Sequence, residues 1–248
     1  MNWLGTLLPH ETVPSPNVNE RKGDKIVSIL LLHYTGMTSA AKACHWLCAG
    51  ESQVSCHYLV DENGVTTQMV DETMRAWHAG SGFWQGNDDI NSRSIGIEIQ
   101  NPGHTLGYRD FPRQQMQSVV QLCQDIVVRH KILPRNVLAH SDIAPARKID
   151  PGEKFDWKLL HDNGVGHWVN PEPLSGGSFL QEGDRGDAVF ALQSLLKLYG
   201  YEIQLTGNFD QETRLVLTAF QRHFRTQKVD GVADASTVAT LHKLLKAV

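Results

Sequence analysis

The segment Asn170-Pro-Glu-Pro-Leu-Ser-Gly-Gly-Ser178 sets two prolines, two glycines and two serines between patterned stretches. That is the composition of a connection between domains. Before it, short apolar runs alternate with helical periodicities; after it, every pattern is helical. The chain of 248 residues therefore divides into a mixed part over 1–170, a linker over 171–178 and a helical part over 179–248.

In the first part the run Ile26–Leu32 is nearly unbroken hydrophobic, as a strand covered on both faces must be, and Ile95–Ile99 matches it apart from Glu98. A charge inside such a strand needs a reason. Further short strands are expected at Tyr58–Val60, closed by Glu62-Asn63-Gly64, and at Val137–Ala139, with a helix at Ala40–Leu47. Over Gln114–His130, Met116, Val119, Val120, Cys123, Ile126 and Val127 recur at helical spacing and make a stripe that should lie on a sheet; Pro134 follows. The expected class is α/β, a mixed central sheet flanked by helices.

The second part offers three short amphipathic helices, Asp187–Tyr199, Asp210–Phe224 and Ala235–Leu245, each opening at or just after an Asp and punctuated by Gly200, Gly207 and Gly231. A small three-helix bundle follows. It holds no cluster of His, Asp and Glu, so it reads as a binding module.

Composition removes several classes of function. Lys+Arg 23 against Asp+Glu 27 gives a formal net charge of -4, which lacks the basic footprint of a general nucleic-acid binder. The longest apolar run falls far short of the ~20 residues that span a bilayer, so no membrane span is expected. No basic start followed by an apolar stretch opens the chain, so no signal peptide is read. Cys44, Cys48, Cys56 and Cys123 show no CxxC spacing and read as free thiols of a reducing compartment. A monomer is expected.

Chemistry gathers at three apolar runs. His33 follows Leu30-Leu31-Leu32, Glu98 lies inside Ile95-Gly-Ile-Glu-Ile99, and His140 follows Val137-Leu-Ala. Groups at strand ends of an α/β sheet converge on one rim. Beyond His140 a Pro- and Gly-containing loop presents Lys148 and Asp150. Two imidazoles and one carboxylate make an open zinc site with the fourth position left to water. Spacing alone leaves structural histidines as the alternative. His57, in a His-Tyr-Leu-Val strand, reads as an interior imidazole, and Cys44, His45 and Cys48 as packing residues of a helix. Trp77 and His78 read either as sugar-stacking and hydrogen-bonding groups lining a cleft, together with Tyr34, or as the anchor of a loop.

The stretches Leu31-Leu-His33-Tyr-Thr, Ser55-Cys-His-Tyr-Leu-Val-Asp-Glu-Asn-Gly64, Arg75-Ala-Trp-His-Ala-Gly80, Asn91-Ser-Arg-Ser-Ile-Gly-Ile-Glu-Ile99 and Ala139-His-Ser-Asp-Ile-Ala-Pro-Ala-Arg-Lys-Ile-Asp-Pro-Gly152 resemble the zinc-dependent N-acetylmuramoyl-L-alanine amidases. The resemblance is to the type 2 branch, which shares a fold with peptidoglycan recognition proteins, and it spans residues 24–168. It implies zinc held by His33, His140 and Asp150, with Glu98 and Lys148 as catalytic residues; Tyr34, Trp77 and His78 are the expected substrate contacts beside them. The implied reaction cuts the amide between the lactyl group of N-acetylmuramic acid and L-alanine of peptidoglycan or a soluble muropeptide. The other readings are a non-hydrolysing recognition protein and a zinc peptidase acting within the stem peptide. Cys56 stands where phage-type relatives carry a tyrosine, and Asp61 and Asp89 stand near positions where small recycling relatives are expected to carry arginines.

Leu180–Gln193, Gly200-Tyr201, Gly207-Asn-Phe209, Phe220-Gln221 and Val229-Asp-Gly231 resemble the helical peptidoglycan-binding domain appended to bacterial wall hydrolases. The unled N-terminus favours the cytoplasm, whereas a wall-binding module favours the periplasm or cell envelope.

Overall fold

The computed structural model describes residues 3–8, 10–174 and 176–247. Met1, Asn2, Pro9, Ser175 of the expected linker and Val248 lie outside the described residues. The first part runs β1 (Glu11–Thr12), β2 (Val18–Glu20), β3 (Ile29–Tyr34), α1 (Ala40–Cys48), β4 (Tyr58–Val60), β5 (Thr66–Gln68) and β6 (Met74–Ala76). It continues through α2 (Ile90–Arg93), β7 (Ser94–Ile99), α3 (Gly103–Leu106), α4 (Arg113–His130), β8 (Val137–Ala139), α5 (His140–Ile143) and α6 (Trp157–Asp162). The second part holds α7 (Asp187–Tyr199), α8 (Gln211–Phe224) and α9 (Ala235–Lys246).

The main sheet has the order β1-β5-β4-β7-β3-β8, and β2 pairs with β6 beside it. Only the β4–β5 pair of the main sheet is antiparallel. The central strands β3 and β7 send alternate residues to opposite faces, the period-two rule of a pleated strand. Leu30, Leu32, Ile95, Ile97 and Ile99 meet the α4 stripe of Met116, Val119, Val120, Cys123 and Ile126 in one buried cluster. His33, Gly96 and Glu98 fall on the other face. The apolar needs of the first face thus fix which residues the second can display.

One strand begins later than the run Ile26–Leu32 suggests. Ile26 is 58% exposed and its N–H bonds to the Asp24 carboxylate in a turn that places Lys25 at φ 59. Ladder pairing of β3 starts at Ile29, opposite Ser94, so the strand carries His33 and Tyr34 inside it.

The bundle forms as its pattern requires. Asp210 and Asp234 cap α8 and α9 by accepting the N–H of Thr213 (2.9 Å) and Thr237 (2.8 Å), each cap contributing about 1 kcal/mol. Val189, Leu192, Leu196, Val216, Phe220, Phe224 and Leu241 are buried together. Their cluster does not stop at the bundle: it runs on through Trp84, Ile90, Leu138 and Ile143 to Ile29 and Leu31 of the sheet. Trp84 meets Tyr199 and Tyr201 edge-on at 6.0 and 5.1 Å. Gly200 passes so close that a Cβ there would lie 2.8 Å from the Trp84 indole. In the connecting segment Glu172 is bound by Thr240, Ser236 and Lys243 of α9.

Candidate metal centre

His33 reaches the site face from β3, His140 is the first residue of α5 just beyond β8, and Asp150 comes from the loop that follows. That loop is tied to α5 by the Ser141 N–H, which donates to the Asp150 carbonyl at 3.0 Å. His33 Nδ1 lies 2.8 Å from His140 Nδ1, and Asp150 Oδ2 lies 3.1 Å from the first and 3.0 Å from the second. All three residues are buried.

The outer nitrogens decide what those inner atoms can be. His140 Nε2 lies 2.9 Å from the Ala79 carbonyl, which can only accept, so Nε2 carries the proton and Nδ1 presents a lone pair. Ser94 Oγ donates to the Ile90 carbonyl at 2.7 Å and therefore accepts from His78 Nε2 at 3.2 Å. His78 Nδ1 is then the acceptor for His33 Nε2–H at 3.0 Å. By this chain His33 Nδ1 is also a lone pair. Two imidazole lone pairs and a carboxylate oxygen facing one another without a proton repel, and a cation is what such a set accommodates. Among the described residues this is the group of His, Cys, Asp and Glu whose ligand atoms all converge within 4.8 Å.

Electrostatics agree. Burial, aided by the neighbouring His140 ring, pushes His33 down to about 4. His78 is held well below its ordinary value, first by burial and then by His33.

Glu98 pairs in register with His33 across β7 and β3. Its Oε2 is buried and has no hydrogen-bond partner. Burial and the Asp150 charge push its carboxyl well above the ordinary value, with Lys148 acting against them. Glu98, Lys148, His140 and Asp150 line one cavity of about 410 Å³ with Tyr34 and Trp77. Tyr34 Oη lies 3.1 Å from His104 Nδ1, and Trp77 Nε1 donates to Asn19 at 2.7 Å.

His78 borders the cavity but is 8% exposed, and both its ring nitrogens have protein partners, His33 and Ser94. Its ring lies flat against Gly96, where a Cβ would come within 2.5 Å of it. The Ala79 carbonyl, Ser94 and Gly96 were not singled out from the sequence; their roles arise only when β7 and the 77–80 loop meet. His57 is the interior imidazole its strand suggested, taking the Gly96 N–H on Nδ1 at 3.0 Å. Cys44 and Cys48 are free thiols packed on a small core with Leu47 and Met69. Asp61 organises a turn through the Asn63 and Val65 N–H groups, and Asp89 caps α2.

With this geometry in place, comparison with known proteins is decisive. The family described as N-acetylmuramoyl-L-alanine amidase matches residues 22–153, and a peptidoglycan binding domain family matches residues 185–241. The N-acetylmuramoyl-L-alanine amidase AmiD of Escherichia coli strain K12 is 36% identical over 235 residues, covering 89% of this chain and 83% of that protein. The chain belongs to the N-acetylmuramoyl-L-alanine amidase family. The 1,6-anhydro-N-acetylmuramyl-L-alanine amidase AmpD of Citrobacter freundii is 32% identical over 170 residues, 62% of this chain and 89% of that protein. The structure of Escherichia coli AmiD in complex with anhydro-N-acetylmuramic acid-L-Ala-D-gamma-Glu-L-Lys superposes with a TM-score of 0.76 at 36% identity, covering 92% of each chain. AmpDh3 of Pseudomonas aeruginosa, in complex with an anhydromuramic pentapeptide, gives 0.75 at 31% identity, covering 92% of this chain and 94% of that one. The amidase is thus a hydrolase of the amide between the lactyl group of N-acetylmuramic acid and L-alanine, with a mixed α/β fold and a peptidoglycan-binding domain.

Proposed function

We propose that the amidase uses zinc held by His33, His140 and Asp150 and accepts 1,6-anhydro-muramoyl peptides, with the helical part as its wall anchor. The carrying observation is the convergence of three proton-free donors beside the partnerless oxygen of Glu98. Zinc bound there supplies Lewis acidity toward a water and the scissile carbonyl. The Glu98 carboxylate takes the proton of the attacking water and passes it to the departing amine of L-alanine, so that the C–N bond breaks as the C–O bond forms. The Lys148 ammonium faces the charge that develops on the carbonyl oxygen; loss of one such donor costs ~10²–10³ in rate. Trp77 and Tyr34, at the walls of the cavity, are the surfaces against which a sugar ring packs. The anhydro substrate is supported by the ligands bound to AmiD and AmpDh3.

Metal analysis and product analysis test this together. The purified chain should hold one zinc, His140→Ala should lose it, and anhydro-muramoyl peptide should yield free sugar and a peptide beginning with L-alanine. A full equivalent of zinc in His140→Ala overturns the ligand set. New termini within the peptide point to a peptidase, and no product points to a recognition protein.

A further inference from the structure

Asp142 is 1% exposed and lies outside the cavity around Glu98, at the floor of a separate cleft that Ile143, Glu202 and Val216 also line. A buried carboxylate is costly unless its oxygens are satisfied, and here three donors satisfy it. Oδ2 accepts the N–H of Ala139 at 2.8 Å and Nδ1–H of His223 at 2.7 Å, while Oδ1 accepts Tyr201 Oη–H at 2.7 Å. Two of the three donors belong to the helical part. His223 is itself clamped, stacked on Trp157 at 3.7 Å and on Phe224 at 3.8 Å.

The remaining bond, to Ala139, fixes the entry into α5, a single turn whose first residue is His140. The same turn donates the Ser141 N–H to the Asp150 carbonyl. One short element therefore presents one metal ligand and clamps a second, and its position is set by a carboxylate anchored from the helical part. A single turn has too few internal hydrogen bonds to hold its own place, and a metal site tolerates displacements of only about 0.5 Å.

We infer that Asp142 is a positioning residue through which Tyr201 and His223 of the helical part hold His140 and Asp150 in the metal-binding arrangement, so that this part completes the active site as well as binding the wall. The inference rests on the metal reading above. The test is the full chain carrying Tyr201→Phe and His223→Phe, which keep both rings and remove both donors. Transfer of zinc from the protein to a chromogenic chelator should accelerate by at least about tenfold, the scale on which groups behind the ligands act, and kcat on soluble muropeptide should fall. Leu241→Ala, a cavity in α9 that leaves Asp142's partners in place, should lower Tm without that acceleration. Equal release from the double variant and the parent, or equally fast release from Leu241→Ala, overturns the inference. If the double variant does not fold, Tyr201→Phe alone decides: several-fold faster release supports it and unchanged release overturns it. A parent chain without zinc overturns the metal reading itself.

Discussion

Glu98 and His33 are register partners on adjacent parallel strands, so their side chains leave the sheet on the same face and strand pairing alone sets the proposed proton-transfer group beside the proposed metal ligand. The relationship is rigid because the opposite face of both strands is locked under α4. Glu98→Gln keeps the shape and removes the base. The expected outcome is a full equivalent of zinc, an unchanged Tm and a kcat lowered by ~10²–10⁴. Turnover near the parent's on muropeptide would make Glu98 a structural carboxylate.

His78 fixes the proton of His33 on Nε2 by accepting it at 3.0 Å. His78→Phe keeps the ring against Gly96 and removes the acceptor, so His33 is free to take the wrong tautomer. Zinc affinity should fall by ~10–100-fold. Gly96→Ala should do the same indirectly, since its Cβ would enter the space of the His78 ring. Chelator competition measures both, and an unchanged affinity in either refutes the tautomer chain.

His33, Glu98 and His140 stood out in the sequence because each lies at the end of, or inside, a short apolar run, whereas Lys148 and Asp150 sit in the loop after His140 and joined them as a set through the family resemblance. The bundle was legible through Val189, Leu192 and Leu196 or Val216, Phe220 and Phe224 at helical spacing. What surrounds the ligands was not. Ser94, the Ala79 carbonyl and Asp142 act through partners 16, 61 and up to 81 residues away, and no local period encodes such a pair. Trp84 likewise gave no sign that it would seat the bundle, because its partners Tyr199 and Tyr201 belong to another pattern.

Stability should carry an acid limb set by Glu72. Burial opposes its ionisation, but His130, Arg129 and Tyr58, at 2.6, 2.7 and 2.6 Å, hold its carboxyl down to about 2, below the ordinary 4.5. Because the folded value is the lower one, the stabilisation is complete above pH 4.5 and is lost as the pH falls from 4.5 toward 2. Its size is on the order of 1–3 kcal/mol. Glu72→Gln should therefore be less stable than the parent at pH 7, with a narrower gap at pH 3, as read by urea unfolding at both values. A gap independent of pH would remove Glu72 as the cause.

Cutting the chain within 171–178 tests whether the helical part is only an anchor. A tether by itself adds local concentration, worth ~10²–10⁴ on a polymer and nothing on a small soluble substrate. The buried contact between the two parts predicts more than that. Removing residues 171–248 uncovers the Trp84 indole and Ile143, which are 1% and 2% exposed in the whole chain. It also leaves the Asp142 carboxylate with one donor of three. Residues 1–170 should show a lower Tm, faster zinc release and a reduced kcat on soluble muropeptide, with a further loss on intact sacculi from the missing tether. Full activity on the soluble substrate with loss confined to sacculi would mean that the bundle anchors the enzyme and does nothing for its active site.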